Sequence, residues 1–178
     1  KLHYVFTLAV LLIGFSVFGQ TKFWQKSTSN GSLNTIPISE LNEKHYEVFQ
    51  LDFEAFRQAL VNAPLRESNQ VSTTFINVPN EEGVLETFRM LEAPVFDAEL
   101  SAQFPDIKSY VGVNDSGTRL RMSVSPSGVQ TMISYLDKPT VFMQPVNGDP
   151  QNYIVYNRLV RGDNYTEDFH CATIDEFS

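Results

Sequence analysis

From residue 72 onward, the chain is a series of short apolar, β-branched or aromatic runs separated by turn segments of Pro, Gly, Asn, Asp and Ser. The clearest run covers residues 119–124, where Leu120, Met122 and Val124 alternate with polar or charged neighbours. Alternation with a period of two is typical of a strand with one buried face. The predicted strands cover residues 72–78, 84–91, 107–113, 119–124, 129–135, 141–143 and 153–160. Because short strands joined by tight turns pair antiparallel, we predict an α+β fold dominated by an antiparallel sheet, either a meander or a small sandwich.

One substantial helix is predicted at the start of this region. Residues 46–51 have a strand-like pattern, and Asp52 follows them as a candidate N-cap, because its carboxylate can accept from the free N–H groups of a first helical turn. Apolar residues then follow at helical spacing: Phe53, Phe56, Leu60 and Val61. Pro64 requires the helix to end before it. On the simplest interpretation the apolar residues of these elements are core: Phe49, Leu51, Phe56, Leu60, Leu120, Met122, Val124, Val155 and Tyr156.

The N-terminus has the pattern of an export signal. Lys1 precedes an apolar run over residues 4–18, which is shorter than the roughly 20 residues that span a bilayer. Small residues occupy the −3 and −1 positions of a cut before Gln20. We therefore predict that residues 1–19 are a signal peptide and that the protein is exported to the extracellular space or cell surface. An uncleaved membrane anchor is the alternative.

The exported chain divides into three predicted parts. Residues 20–45 are a polar arm whose aromatic anchors are Phe23 and Trp24, residues 46–160 are the β-rich core, and residues 161–178 are a C-terminal tail. Because the two aromatic residues precede the periodic region, they are candidate contacts to a partner. An equally open interpretation is that they cap the core.

Charge and motifs exclude several classes of function. The chain has 21 acidic and 13 basic residues, a net charge of −8, whereas nucleic acids and anionic membranes attract cationic surfaces. It has no His-Glu-x-x-His motif, no Gly-x-Ser-x-Gly motif and no phosphate-binding loop. His45 and His170 are its only histidines after the signal. We therefore expect no catalysis, no cofactor and no self-contained metal site in this chain.

A series of short motifs follows along the exported chain. They are, in order, Tyr46-x-x-Phe49-x-Leu51-Asp52, Leu60-x-x-Ala63-Pro64, Ile76-x-Val78-Pro79-Asn80 with Gly83, Phe88-x-Met90-x-Glu92-Ala93-Pro94-Val95, Glu99-Leu100-x-x-x-Phe104-Pro105-x-Ile107-Lys108-x-Tyr110-x-Gly112, Leu120-Arg121 through Ser125-Pro126-x-Gly128, Val141-Phe142-Met143-Gln144-Pro145 and Tyr153-x-Val155-Tyr156. Their order resembles the N-terminal propeptide region of secreted bacterial zinc metalloproteases of the reprolysin (adamalysin) type. The resemblance covers residues 46–171, nearly the whole exported chain.

This resemblance implies an exported, non-catalytic pro-domain that assists folding of a downstream zinc metalloprotease and keeps it latent. The partner would be the protease catalytic domain, which would hold the zinc and lie beyond Ser178 in a longer zinc metallopeptidase precursor. The alternative is a stand-alone secreted β-rich binding or adhesion module. Such a module would bind glycan or peptide through aromatic residues: Tyr135, Phe142, Tyr153 and Tyr156.

The chain's only cysteine, Cys171, lies close to its C-terminal end. As a thiolate it could ligate the protease zinc at about 2.3 Å and displace the attacking water, which is a cysteine switch. His170 beside it could help to hold that segment and is a candidate contact to the partner. A disulfide with the downstream domain and an inert buried thiol are the two other interpretations.

Overall fold

A computed structural model describes residues 23–27 and 46–157. These residues form nine strands and two helices. The elements are β1 (Trp24–Lys26), β2 (Tyr46–Leu51), α1 (Phe53–Leu60), β3 (Phe75–Pro79), β4 (Leu85–Glu92), α2 (Ala98–Gln103), β5 (Lys108–Val113), β6 (Arg119–Ser125), β7 (Gly128–Ser134), β8 (Val141–Val146) and β9 (Asp149–Asn157). The predicted signal peptide and C-terminal tail lie outside the described residues.

The strands form one sheet in the order β1-β2-β9-β8-β7-β6-β5-β4-β3. Every neighbouring pair is antiparallel, and β3 to β9 follow one another as a meander. The indole Nε1 of Trp24 in β1 donates to the carbonyl oxygen of Asn77 in β3 at 2.7 Å, which joins the two edge strands and nearly closes the sheet. The predicted α+β fold with a mainly antiparallel sheet is confirmed.

Helix α1 is confirmed together with its cap. The Asp52 carboxylate accepts a hydrogen bond from the backbone N–H of Ala55 at 3.1 Å. Phe53, Phe56 and Leu60 are buried, since their spacing places them on one face of the helix. Neither helix in the described ranges is long and apolar enough to cross a membrane.

The sheet begins earlier than the sequence pattern indicates, because residues 24–26 of the predicted arm pair with β2. Trp24 lies opposite Leu51, and Lys26 lies opposite Phe49. The Lys26 ammonium also forms an ion pair with Glu47 at 2.7 Å. Three residues are too few to show a period of two, so this strand has no clear local signal.

The last hairpin is tighter than predicted. Its turn is Asn147-Gly148, with φ values of 53° and 72°. A two-residue turn with both residues in the left-handed region matches the twist of the flanking strands. As a result β8 extends to Val146 and β9 begins at Asp149, whereas the predicted strands ended at residue 143 and resumed at residue 153.

The inner face of the sheet and α1 enclose the main core, with Trp24 at its centre. The indole ring lies edge-to-face with Phe49, Phe56 and Tyr153, at centroid distances of 6.4, 5.6 and 5.3 Å. All the predicted core residues are buried except Tyr156. That assignment was wrong because Tyr156 follows the buried Val155, and neighbouring residues of a strand face opposite sides.

Candidate functional site on the outer sheet face

A continuous row of side chains crosses the outer face of the sheet at right angles to the strands. Cross-strand register places one residue from each of seven neighbouring strands in this row. We call the row the outer ladder; it consists of Tyr46, Tyr156, Phe142, Met132, Arg121, Val111 and Leu91. The six uncharged members are half-buried and Arg121 is exposed. An outward row of large apolar residues is a typical feature of an interaction surface.

The ladder faces outward because of strand parity. In β6, for example, Arg121 lies between the buried Leu120 and Met122, and in β8 Phe142 lies between the buried Val141 and Met143. Side chains of successive strand residues alternate between the two faces. The hydrophobic core therefore fixes the orientation of the ladder.

Two aromatic rings give one end of the ladder a fixed shape. Phe142 and Tyr156 are opposite each other in β8 and β9 and stack at 5.8 Å with an interplanar angle of 28°. The Tyr156 hydroxyl donates to Gln144 Oε1 at 3.4 Å. Beside this pair Ile154 and Val146 form a second, small buried cluster on the outer side. These contacts hold the rings in place before any partner binds.

Two concavities lie along the ladder and meet at Arg121. The larger, of about 750 Å³, is bordered by residues 65–67, by residues 93–96 and by residues 109–111 of β5 and 121–122 of β6. The smaller, of about 290 Å³, lies over β6, β7 and β8, with Met132 and Phe142 in its wall. Because Arg121 borders both, they form one site around a central guanidinium, with apolar side chains on either side of it among polar ones.

The charges of this site are not used in ion pairs within the described part of the chain. Four ion pairs are formed there, and none of them includes Arg66, Glu67 or Arg121, the charged residues that line the two concavities. In a protein of net charge −8 this leaves Arg66 and Arg121 as two cations of the site that are outside the ion pairs of the described residues. Both guanidinium groups are exposed and can bind an anion.

A polar cluster at one end of the sheet has a structural role. Glu86 accepts hydrogen bonds from the Tyr135 hydroxyl, from Asn80 Nδ2 at 3.0 Å and from Asn114 Nδ2 at 3.3 Å. Burial is the largest cause that raises the pKa of Tyr135 far above its usual value, and the hydrogen bond to Glu86 and the negative charge of Glu86 raise it further. The carboxylate thus ties β4 to the turn after β5 and to the end of β7.

The predicted partner contacts Phe23 and Trp24 are only 7% and 1% exposed. Phe23 packs edge-to-face on Phe56 at 5.5 Å, and the pairing of β1 with β2 turns Trp24 to the same side as Leu51. Of the two roles left open by the sequence, the structure shows the cap on the core, and neither ring offers a surface to a partner.

The predicted zinc ligand Cys171 and its neighbour His170 lie outside the described residues, so all three interpretations of the cysteine stay predictions. Within residues 23–27 and 46–157, no three His, Cys, Asp or Glu side chains converge to hold a metal ion.

The four aromatic residues predicted to bind ligand in the alternative binding module do not lie together in the structure. Tyr153 is buried and accepts from the backbone N–H of Val129 at 3.1 Å, and Tyr135 is held by Glu86. Phe142 and Tyr156 lie together on the outer ladder. The structure therefore brings together two of the four as surface residues.

Sequence reasoning did not find the other members of the ladder. Tyr46, Met132, Val111 and Leu91 each lie at an outward position of a strand, where a polar residue is usual. The signal that could have found them is the presence of apolar residues at both the odd and the even positions of one strand, so that both of its faces are apolar. Their alignment into one row depends on the register between strands, which local pattern does not determine.

Comparison of the chain with models of known protein families, with curated proteins and with solved structures finds no match. The function is therefore inferred from the residues of the chain itself.

Proposed function

We propose that this chain is a non-catalytic, exported binding domain that uses the outer ladder to hold a protein partner. We further propose that the partner is the catalytic domain of a zinc metalloprotease encoded downstream, which the chain helps to fold and keeps latent. The observation that supports binding is the ladder itself, because large apolar residues line up on the outward face of the sheet. The class of partner rests on the order of the sequence motifs.

The composition of the site favours binding a protein over catalysis. Among the described residues that line the two concavities there is no His or Cys, and Glu67 is the one carboxylate. General acid–base chemistry needs a titratable pair in hydrogen-bond reach of a substrate. Aromatic residues, Met and Arg are instead the residues enriched at protein interfaces.

The second candidate function is a glycan-binding or peptide-binding adhesion module. It is favoured by the stacked, half-buried pair Phe142 and Tyr156, since exposed aromatic rings also bind sugars. The ladder continues past this pair to Met132, Val111 and Leu91. These aliphatic residues extend the surface over seven strands, which suits a protein partner better than a sugar ring.

The test begins with the reading frame that follows codon 178. We expect an in-frame His-Glu-x-x-His motif there, and the catalytic domain that contains it can be produced separately. Titration of the purified chain into the active protease should abolish peptidase activity at a 1:1 ratio. A frame without that motif, or a protease that keeps full activity and forms no complex with the chain, would contradict the proposed function.

A further inference from the structure

We propose that the site around Arg121 recognises an extended partner segment in which one Asp or Glu has apolar residues two positions before and two positions after it. This inference rests on the proposed function, because it assumes that the partner is a protein. To the proposed function the inference adds the amino-acid pattern of the partner segment that the outer face would bind.

The carboxylate is assigned from the charges at the centre of the site. Arg121 borders both concavities, and Arg66 lines the larger one. Neither takes part in the ion pairs of the described residues, and Glu67 is the one carboxylate described there. An exposed guanidinium binds a carboxylate through two parallel hydrogen bonds, a geometry that few other groups match.

The apolar positions are assigned from the two walls. On one side of Arg121 lie Met132 and Phe142, which are half-buried and line the smaller concavity. On the other side the larger concavity contains Leu65 and Val95, whose exposed fractions are 51% and 75%. These surfaces would be removed from water by apolar side chains of a partner.

The spacing follows from sheet geometry. Neighbouring strands lie about 4.8 Å apart, so Met132 is one strand and Phe142 two strands from Arg121, and the far wall begins one strand away at Val111. An extended peptide places alternate side chains on one side about 6.8 Å apart in a straight line. With its carboxylate on Arg121, its neighbours at i−2 and i+2 therefore reach the two walls.

The same walls argue against a sulfated polysaccharide as the occupant. Such a chain carries repeated anionic groups and binds a row of cations. Along the ladder both neighbours of Arg121 are apolar, Met132 and Val111, and the exposed Arg119 lies two residues away along β6, outside both concavities. The combination of one anionic contact between apolar contacts is the chemistry of a peptide segment.

The experiment is a selection of a random heptapeptide library, displayed on phage, against the immobilised chain. We expect enrichment of the pattern apolar-x-(Asp or Glu)-x-apolar. The enriched peptide, made with a fluorescent label, would then be titrated into the wild-type chain and into two charge-reversal variants. Arg121→Glu tests the site, and Arg119→Glu is the matched control, because Arg119 is exposed on the same face of the same strand and lines neither concavity.

We expect Arg121→Glu to weaken binding by about tenfold or more, as for a lost charge-assisted hydrogen bond, and Arg119→Glu by less than about threefold. Changing the acidic residue of the peptide to its amide (Asp to Asn, or Glu to Gln) should weaken its binding to the wild-type chain and have little effect on its binding to the Arg121→Glu variant. Five results would each overturn the inference. They are no enrichment, a consensus without an acid, apolar residues at helical spacing of three or four, equal effects of the two variants, and stronger competition by heparin than by the peptide.

The inference and the proposed function can fail separately. If the chain binds the catalytic domain and Arg121→Glu leaves that binding unchanged, the recognition pattern is wrong and the proposed function stands. If the acidic peptide binds at Arg121 while no metalloprotease is bound, the pattern stands and the proposed partner is wrong.

Discussion

Trp24 is the residue whose replacement tests the architecture most severely. Its indole is 1% exposed, contacts three aromatic rings and donates from β1 to the Asn77 carbonyl of β3 at 2.7 Å. Trp24→Ala would remove the centre of the core and the hydrogen bond that joins the two edge strands. Trp24→Phe would keep a ring and remove the donor.

The expected loss of unfolding free energy for Trp24→Ala is about 4–6 kcal/mol. Truncation of a buried Trp costs about 3–5 kcal/mol, and the hydrogen bond adds about 1 kcal/mol. For Trp24→Phe the expected loss is about 1–3 kcal/mol, because the Asn77 carbonyl loses its donor and part of the volume is lost. Since a domain of this size is stable by about 5–15 kcal/mol, Trp24→Ala should leave it close to unfolding.

The assay is urea denaturation followed by far-ultraviolet circular dichroism, because the substitution removes the only tryptophan. With a slope of about 2 kcal/mol per molar urea, the midpoint for Trp24→Ala should fall by about 2 M or more. Phe75→Ala is the control, since this ring on β3 is 56% exposed and its loss should cost less than about 1 kcal/mol. A loss below about 1 kcal/mol for Trp24→Ala would refute the role of β1 in closing the sheet.

Three further predictions concern stability and latency. Burial raises the pKa of Tyr153 to about 12, so the folded state keeps a proton that the unfolded chain loses above about pH 10, and the unfolding free energy should fall from pH 10 to 12. Tyr153→Phe should remove that part of the fall, and an identical slope in denaturation series on both proteins would contradict it. Gly128→Ala should cost about 3 kcal/mol or more, because φ is +118° and the new Cβ would lie 2.8 Å from the Tyr153 hydroxyl. In the control Gly117→Ala, where φ is +78° and the space is open, thermal melts should show a loss of only about 1–2 kcal/mol. If Cys171 is a zinc switch, Cys171→Ser in the full-length precursor should give peptidase activity before removal of the pro-region, whereas unchanged latency would eliminate the switch.

The elements that depend on local chemistry could be predicted from the sequence. The Asp52 cap and the spacing of Phe53, Phe56 and Leu60 determine α1, and the alternation around Met122 determines β6. Each signal lies within a few residues of the element that it specifies. The antiparallel character of the sheet followed from the short distances between these elements.

The features that depend on pairing between distant segments could not be predicted. The contact that nearly closes the sheet joins Trp24 to Asn77, which are 53 positions apart. Tyr156 was assigned to the core because odd and even positions of its strand are both apolar, so the pattern does not show which face is buried. Its position opposite Phe142 and Tyr46 in the neighbouring strands shows that it belongs to the outer ladder. Register is a property of strand pairs, so a surface row such as this is invisible to local pattern.

The most direct test of the proposed function is calorimetric titration of the chain into the catalytic domain that we propose to follow it in the same reading frame. We expect a 1:1 complex that is weakened about tenfold or more by Phe142→Ser, a change at the centre of a packed aromatic pair. Leu136→Ser is the matched control, because Leu136 is an apolar residue that is 95% exposed and lies outside the ladder, and its loss should leave the affinity unchanged. A complex that responds equally to both variants would contradict the assignment of the outer ladder as the binding surface, and no complex at micromolar concentrations would contradict the proposed partner.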